Sequence, residues 1–494
     1  MRWAESLFDE PAGDSKGQRD TVVGKYFRGV GDAFVSSGYC DDFTTLFWRA
    51  GRYVEILVET KEEALHLVKV EFEETRYDLE IKSELDTDDA RVKALMRLMR
   101  RTLEVSSHDG FIDPYYEQMM WVGDCYPTVL GLLASGADDS LVRRCLTLFD
   151  FSRNYEGWLM ARWPARDRMM IPTYGLLWIG TLHVYFMWSG DVGFLRSCLT
   201  GVRSVLEAFL RKRNSEGLVE LDSGWNFMDW VPQWEMGIPP GGDGGVNASQ
   251  HWMLIWALRM ASELEEYANE PQMARRWYLE AAMMAEVTHR SFWSEAHGLY
   301  ADEPGGKSFS EHAQCLAVIS DQVPDDVHER LIKNLPHACP KMTIGFGHVY
   351  FESCYRLGRI DWLWERLEQW FEFADQGFLT LPEQPEPTRS DCHAWGIYPW
   401  HHFYASVLGI RPTYPGFEAI CIEPKLHHLK TIRATLSHPR GKIRVDVCVQ
   451  GESVTLSVNV PEGVRARIKF GEHDREIWGG EAVLRIHSVE SDGL

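Results

Sequence analysis

The sequence predicts a multidomain α+β protein in which an (α/α)6 six-hairpin barrel, residues 86–408, lies between an N-terminal β-domain and a C-terminal β-sandwich. The period of the apolar residues changes from two to the helical value near residue 86 and returns to two near residue 409. Roughly twelve helical patterns follow one another between those points, and paired helices without intervening strands favour a closed helical barrel. The clearest of these patterns lie at 141–152, 173–189, 194–212, 248–268, 271–287, 344–356, 360–374 and 393–408.

Alternating apolar and polar residues indicate β-structure at both ends of the chain. Residues 1–85 contain such alternation at 52–58 and 67–72, which predicts strands of an N-terminal β-sandwich-like domain. Stricter alternation within 442–460, with glycines marking the turns, predicts a C-terminal β-sandwich over residues 409–494.

The composition indicates a globular protein that binds neither nucleic acid nor membrane. The formal net charge is −22, and so acidic a surface repels phosphate backbones and anionic lipids. There is no run of about 18 apolar residues, and the first residues lack the apolar segment of a signal peptide, so we expect a cytoplasmic protein. The ten cysteines have no metal-ligand spacing, and nucleotide-binding and serine-hydrolase motifs are missing. We therefore expect neither a metal nor a cofactor, while the oligomeric state is left open.

One group of candidate functional residues lies in segment 113–124. The pair Asp113 and Pro114 is typical of a helix start, which would place Glu117, Trp121 and Asp124 on one helix face. A carboxylic acid beside an aromatic ring is a candidate general acid for cleaving a glycosidic bond, since burial helps it to keep its proton. The structural alternative is a first-turn glutamate stabilised by the helix dipole, with Asp113 as a simple cap.

A second group lies in segment 225–234, which contains three of the chain's twenty tryptophans. Trp225 and Trp230 flank Asp229 in an irregular stretch, and aromatic faces stack on the apolar faces of sugar rings. The segment is therefore either a sugar platform, with Asp229 holding hydroxyl groups, or a well-packed core loop.

A third group follows in the proline-rich segment 377–387, where alternating prolines favour a stiff extended loop. Such a loop can hold a carboxylate firmly at the mouth of a barrel, and Glu383 and Glu386 are alternative candidates for it. His393 and Trp395 follow closely and open the last helical pattern. A single histidine is more often structural than catalytic, so the role of His393 is open at this point.

At these residues the sequence resembles the bacterial α-L-rhamnosidase family of six-hairpin glycosidases. Arg52 to Glu55 resembles the F-R-Y-V-E strand of the β-domain that precedes the family's barrel, and Glu117 to Asp124 resembles its D-E-R-x-G-W-x-G-D element. Further similarities are to the G-D-W loop at 227–230, to the T-x-x-E loop at 380–383, and to the run into the C-terminal sandwich at 390–395 and 408–417.

The resemblance implies that Glu117 is the general acid and Glu383 the general base of an inverting hydrolase that releases terminal α-L-rhamnose. The chain departs from the family pattern at Ile112 and Tyr116, where the family has aspartates, and both positions touch the sugar subsite. The alternatives are therefore a glycosidase for another deoxy or uronic sugar, and a sugar-binding protein without catalysis. The expected substrate-binding residues are Asp113, Trp121, Asp124, Trp225, Asp229, Trp230, His393 and Trp395.

Overall fold

A computed structural model describes residues 1–39 and 41–487 of the chain. Its central part is helical, and no helix of these residues is long and apolar enough to cross a membrane. The helices are α1 Ala90–Ser106, α2 Val122–Ser135, α3 Ser140–Phe151, α4 Pro172–Ser189, α5 Val192–Leu210, α6 Ala248–Tyr267, α7 Pro271–Phe292, α8 Glu311–Ile319, α9 Asp325–Asn334, α10 Gly347–Arg356, α11 Ile360–Asp375 and α12 Pro399–His402.

The even-numbered helices contact one another in a closed succession. Each of α2, α4, α6, α8 and α10 contacts the next, and α12 contacts both α10 and α2. Almost every residue of α2 and α8 is buried, as expected for helices surrounded by other helices. Helices α3, α5, α7 and α11 pack against this ring with one apolar face and leave the opposite face in solvent. The connections that lead into α2, α6, α10 and α12 contact one another, and the candidate site is built from them.

The C-terminal part is one hydrogen-bonded sheet. Its strands are β7 Arg411–Tyr414, β8 Ala419–Ile422, β9 Thr431–His438, β10 Gly441–Gln450, β11 Ser453–Phe470 and β12 His473–His487. An earlier strand, β4 Glu84–Thr87, pairs with β9, and the order is β4-β9-β10-β11-β8-β7 with β12 beside β11. A register shift between Val460 and Arg465 lets the long β11 pair with β10 through its first half and with β8 through its second. The expected domain boundary between residues 85 and 86 falls within β4. Because β4 pairs with β9, this strand belongs to the C-terminal sheet.

The N-terminal region contains less β-structure than the sequence predicts. Strands β1 Arg2–Ala4, β2 Val30–Gly31 and β3 Tyr53–Glu55 form a three-stranded sheet of order β2-β1-β3. A further pair, β5 Trp293–Ser294 and β6 Leu299–Tyr300, lies within the helical part. The predicted strand at 67–72 is wrong: this segment has no regular structure, and Leu67, Val68 and Phe72 are exposed. A β-strand needs a neighbour for its backbone groups, and no strand of the described residues pairs with this segment.

Candidate active site

Residues 113–121 lead into α2 as a turn followed by extended chain. The prediction of a helix that starts at Asp113 is therefore wrong. Oδ1 of Asp113 accepts hydrogen bonds from the backbone N–H groups of Tyr115 and Tyr116, a local turn that competes with a helix. Gln118 has a left-handed backbone with φ 54°, and α2 begins only at Val122. Glu117 consequently lies outside the helix, and it does not share a helix face with Asp124.

Glu117 and Glu383 are nevertheless brought together by one guanidinium group. Arg389 donates from Nη1 to Oε1 of Glu117 at 3.0 Å, and from Nε and Nη2 to the two carboxylate oxygens of Glu383, each at 3.0 Å. Glu117 also accepts a hydrogen bond from Nε1 of Trp121. Burial alone would lower the pKa of Arg389, but the two glutamates raise it above its ordinary value, so the guanidinium remains charged. The two carboxylates therefore share one counterion.

The backbone of the proline-rich loop fixes the position of Glu383. The N–H of Glu383 donates to the carbonyl oxygen of Ser390 at 3.0 Å. The carbonyl oxygen of Glu383 accepts from Nε1 of Trp395 at 2.8 Å. Glu383 is only 3% exposed. Glu386, the alternative candidate, instead forms an ion pair with Arg19. The geometry thus pairs Glu117 with Glu383 rather than with Glu386.

His393, which is buried, and Asp124, which is partly buried, form an ion pair beside these carboxylates. Nε2 of His393 lies 2.7 Å from Oδ2 of Asp124, which sits in the first turn of α2. Burial alone would lower the pKa of His393, but Asp124, together with Glu383 and Asp113, raises it to about 9. Burial raises the pKa of Asp124, and His393 offsets part of that rise. His393 is therefore a cation at neutral pH.

Two buried polar atoms in this cluster have no hydrogen-bond partner among the described residues. They are Oδ2 of Asp113 and Nδ1 of His393. Burial raises the pKa of Asp113, while the charges of His393 and Arg389 partly oppose that rise. Buried polar groups are nearly always paired, so one acceptor and one donor in the same cluster are suited to bind ligand hydroxyl groups.

Aromatic side chains lie beside the two carboxylates. The rings of Trp121 and Trp225 meet edge to face with centroids 6.1 Å apart, and Trp225 and Trp230 are 6.4 Å apart. The Trp395 ring lies 4.4 Å from that of His393. The sequence-predicted tryptophans therefore come from three different connections, those before α2, α6 and α12. Such rings offer apolar faces and exclude water from the site.

Asp229 is buried and its carboxylate is occupied by protein donors. Oδ2 lies 2.8 Å from Nε2 of His312 and accepts from the backbone N–H of Thr343 at 2.8 Å, while the Thr343 hydroxyl donates to Oδ1. Asp229 is 1% exposed. In this arrangement it links the connection before α6 to the one before α10, and its oxygens are not free for a ligand.

Reasoning from the sequence missed Arg389, which binds both candidate catalytic carboxylates. The available signal was its place in the same loop as Glu383, six residues later. Arg162, whose guanidinium lies 5.2 Å from the Trp121 ring, was also missed. Within residues 1–39 and 41–487, no group of three or more His, Cys, Asp or Glu side chains is arranged to hold a metal ion. The cysteines among these residues are free thiols, and Cys40 lies outside them.

Two family models match the chain. The bacterial alpha-L-rhamnosidase 6 hairpin glycosidase domain matches residues 80–347, and the bacterial alpha-L-rhamnosidase C-terminal domain matches residues 409–484. An alpha-L-rhamnosidase of Alteromonas sp. (strain LOR) is 24% identical over 311 residues, which are 57% of this chain and 32% of that protein. The chain thus spans about a third of the length of this relative. These matches confirm the resemblance seen in the sequence.

Solved structures share the same fold. A GH78 family rhamnosidase of Bacillus sp. GL1 superposes with a TM-score of 0.74 at 23% identity, covering 80% of this chain and 43% of that one. The Streptomyces avermitilis α-L-rhamnosidase, complexed with L-rhamnose, gives a TM-score of 0.70 at 14% identity over 83% of this chain and 42% of that one. The likeness confirms a helical glycosidase domain followed by a C-terminal β-domain.

Proposed function

Because the chain belongs to the bacterial α-L-rhamnosidase family of six-hairpin glycosidases, we propose that it hydrolyses terminal α-L-rhamnosides with inversion at the anomeric carbon. The observation that carries the proposal is the pairing of Glu117 and Glu383 across Arg389 in an aromatic pocket. The closed succession of even-numbered helices supports an (α/α)6 barrel as the scaffold. One relative of the same fold is complexed with L-rhamnose.

Glu117 is the proposed general acid. It is the more accessible of the two glutamates, with 23% of its side chain exposed against 4% for Glu383, which suits contact with a leaving group. The hydrogen bond from Trp121 fixes one carboxyl oxygen, and the other contacts Arg389. When Glu117 is protonated it gives up its contact with Arg389 and donates to the glycosidic oxygen, which then leaves as a neutral alcohol.

Glu383 is the proposed general base. It accepts two hydrogen bonds from Arg389, which orient it, and it removes a proton from the water that attacks the opposite face of the sugar. Inverting glycosidases separate the two carboxyls by roughly 6.5–9.5 Å, which leaves room for that water. We expect the Glu117 and Glu383 carboxyls of the sugar complex to lie in this range, whereas about 5 Å would indicate retention.

The groups proposed to hold the sugar are the two buried atoms without a hydrogen-bond partner and the tryptophan side chains. Oδ2 of Asp113 accepts from one sugar hydroxyl, and Nδ1 of His393 donates to a neighbouring one. Asp124 orients His393, and Trp121, Trp225, Trp230 and Trp395 shape the pocket. Asp229 stabilises the site through hydrogen bonds that join the connection before α6 to the one before α10.

The charges of the pocket favour a neutral sugar over the uronic alternative. Four carboxyl groups, those of Asp113, Glu117, Asp124 and Glu383, face two cations, Arg389 and His393. Both cations are already paired with carboxylates, so neither is free to neutralise the further negative charge that a sugar carboxylate would add. A deoxy sugar such as rhamnose adds no charge and presents an apolar methyl group to the tryptophans.

The proposal is tested by following aryl glycosides and the first sugar product. We expect the protein to release nitrophenol from 4-nitrophenyl α-L-rhamnoside and to leave the matching glucuronide intact. Proton NMR at early times is expected to show β-L-rhamnose first, because the configuration inverts. Early α-L-rhamnose would contradict inversion. Saturable binding of L-rhamnose without release from any aryl glycoside would support the sugar-binding alternative instead.

A further inference from the structure

The first twenty residues of the chain bind residues 376–393, the loop that follows α11 and carries the proposed base, here called the catalytic loop. Asp391 lies in this loop, and its carboxylate accepts from Nζ of Lys16 at 2.8 Å and from Nε and Nη2 of Arg19 at 3.1 and 3.2 Å. The Ser6 hydroxyl donates to the same carboxylate. Three side chains from one N-terminal segment therefore converge on a single acid of the loop.

The same segment also holds the backbone of the loop. Nζ of Lys16 donates to the carbonyl oxygen of Arg389 at 2.8 Å. The Glu5 carboxylate accepts from the Asp391 N–H at 2.9 Å and from the Ser390 hydroxyl at 3.4 Å. Because the Ser390 carbonyl accepts from the N–H of Glu383, these contacts lead directly to the proposed base.

The burial of these charges makes their arrangement specific. Lys16 is 2% exposed and Arg19 is 3% exposed, although lysine and arginine are almost never fully buried unless they are paired. Removing one partner of a buried pair leaves the other charge without compensation, so the cluster holds one geometry strongly. The guanidinium of Arg19 also lies 4.1 Å from the centre of the Phe378 ring, at the start of the loop.

We propose that Glu5, Lys16 and Arg19, together called the N-terminal brace, are positioning residues for the catalytic loop that contains Glu383 and Arg389. The inference rests on the proposed function of Glu383. The brace does not touch the substrate: it fixes the loop backbone, and the loop aims Glu383 and Arg389 at Glu117. A chain in which the brace is broken still has the complete set of catalytic side chains, but they are less well aligned.

The main test is Lys16→Met, which keeps the length of the side chain and removes its charge. We expect kcat for 4-nitrophenyl α-L-rhamnoside to fall about 10- to 100-fold with a smaller change in KM, because a displacement of about 1 Å can cost roughly 10²-fold in rate. Lys16→Arg keeps the charge and is expected to recover most of the activity. Arg49→Met is the matched control, since Arg49 pairs with Asp32 in the same N-terminal region and not with the loop. Its kinetics are expected to be unchanged.

Hydrogen exchange tests the brace without any catalytic readout. In Lys16→Met we expect faster exchange in peptides covering 380–393, above all at the Asp391 N–H, which donates a hydrogen bond to Glu5. Exchange in the strands of the C-terminal sheet is expected to be unchanged. If the wild type cleaves no glycoside, the proposed function fails while this exchange result still decides on the brace. Unchanged exchange at 380–393, or a uniform rise that includes the C-terminal sheet, would overturn the positioning role. Equal kcat in Lys16→Met and Arg49→Met would also overturn it.

Discussion

Arg389 lies between Glu117 and Glu383, where the sugar of the proposed reaction must also bind. A guanidinium fixed there separates the two carboxylates and donates hydrogen bonds to both. Its hydrogen bond to Glu117 must break when the leaving group reaches Glu117. The bidentate bond to Glu383 is the one that the reaction can retain, because Glu383 acts as a carboxylate. The fork geometry of arginine suits that bond better than the single ammonium of lysine.

Substitution of Arg389 tests this division of contacts. We expect Arg389→Met to lower kcat/KM by about 10- to 1000-fold, because two carboxylates then face each other without a counterion and the base loses its orientation. Arg389→Lys keeps the charge and is expected to be intermediate. Steady-state kinetics with 4-nitrophenyl α-L-rhamnoside measures both. Full activity of Arg389→Met would show that the guanidinium has no role in aligning Glu383.

The role of Glu117 is tested with two leaving groups. Glu117→Gln is expected to reduce hydrolysis of an alkyl rhamnoside by roughly 10²–10⁴-fold, because its alkoxide needs a proton on departure. Hydrolysis of 2,4-dinitrophenyl rhamnoside is expected to change little, since this leaving group departs without one. The ratio of the two rates is the measurement. Equal losses on both substrates would make Glu117 a structural residue.

The choice between Glu383 and Glu386 is tested with a matched pair of amides. We expect Glu383→Gln to lower kcat by roughly 10²–10⁴-fold on both of those substrates, because a base acts on water whatever the leaving group. Glu386→Gln is expected to stay within a few-fold of wild type, since Glu386 contacts Arg19 rather than the pocket. The reverse ranking of the two variants would move the base to Glu386.

At the scale of elements, the pair His393–Asp124 joins the loop before α12 to the first turn of α2. The pKa of His393 in the folded chain, about 9, exceeds its ordinary value of 6.5. The pair therefore stabilises the fold fully below pH 6.5, and this contribution is lost as the pH rises through about 9. We expect the melting temperature of the wild type to fall between pH 7 and 10 more steeply than that of His393→Gln. Identical slopes in that interval would contradict the assignment.

The elements that the sequence predicts well are the long helices of the central part. Patterns at 173–189, 248–268 and 360–374 correspond closely to α4, α6 and α11. Helix α11 buries one apolar face, whereas α4 and most of α6 are buried nearly all round because other helices surround them. The helical pattern at 393–408 is correct only in part, since its α-helical portion is α12 and a π-helical turn follows. The helix expected from Asp113 fails because a side-chain turn at Asp113 and the left-handed Gln118 outweigh a favourable start signal.

At the scale of the whole molecule, the properties that the sequence does not show are pairings between distant residues. Strand β4 joins β9 across more than three hundred residues, and Lys16 reaches Asp391 across a similar interval. Local patterns cannot specify such partners. For the same reason, the sequence indicates Glu117, Glu383 and the tryptophans as candidates, yet the contact of Arg389 with both glutamates emerges only when the chain is folded.

The helical and β-domains are themselves joined by a charged contact that predicts a measurable coupling. Arg411 of β7 donates from Nη1 and Nη2 to the two carboxylate oxygens of Glu352 in α10, at 3.1 and 3.0 Å. Burial alone would raise the pKa of Glu352, but Arg411 and Arg356 lower it below its ordinary value. Glu352 is therefore ionised in the folded chain, and it favours the docked position of β7.

We expect Arg411→Met to reduce the free energy of unfolding by about 1–3 kcal/mol, less than for a fully buried pair because Glu352 remains partly accessible and keeps Arg356. The control is Arg440→Met, which removes an exposed pair with Glu418 and is expected to cost at most about 1 kcal/mol. Urea unfolding followed by tryptophan fluorescence measures both variants. Since the pKa of Glu352 is lowered, the penalty in Arg411→Met is present at neutral pH and shrinks as the pH falls through the range in which glutamate binds a proton. A penalty that is equal in the two variants, or that does not shrink in acid, would mean that this ion pair does not hold the domains together.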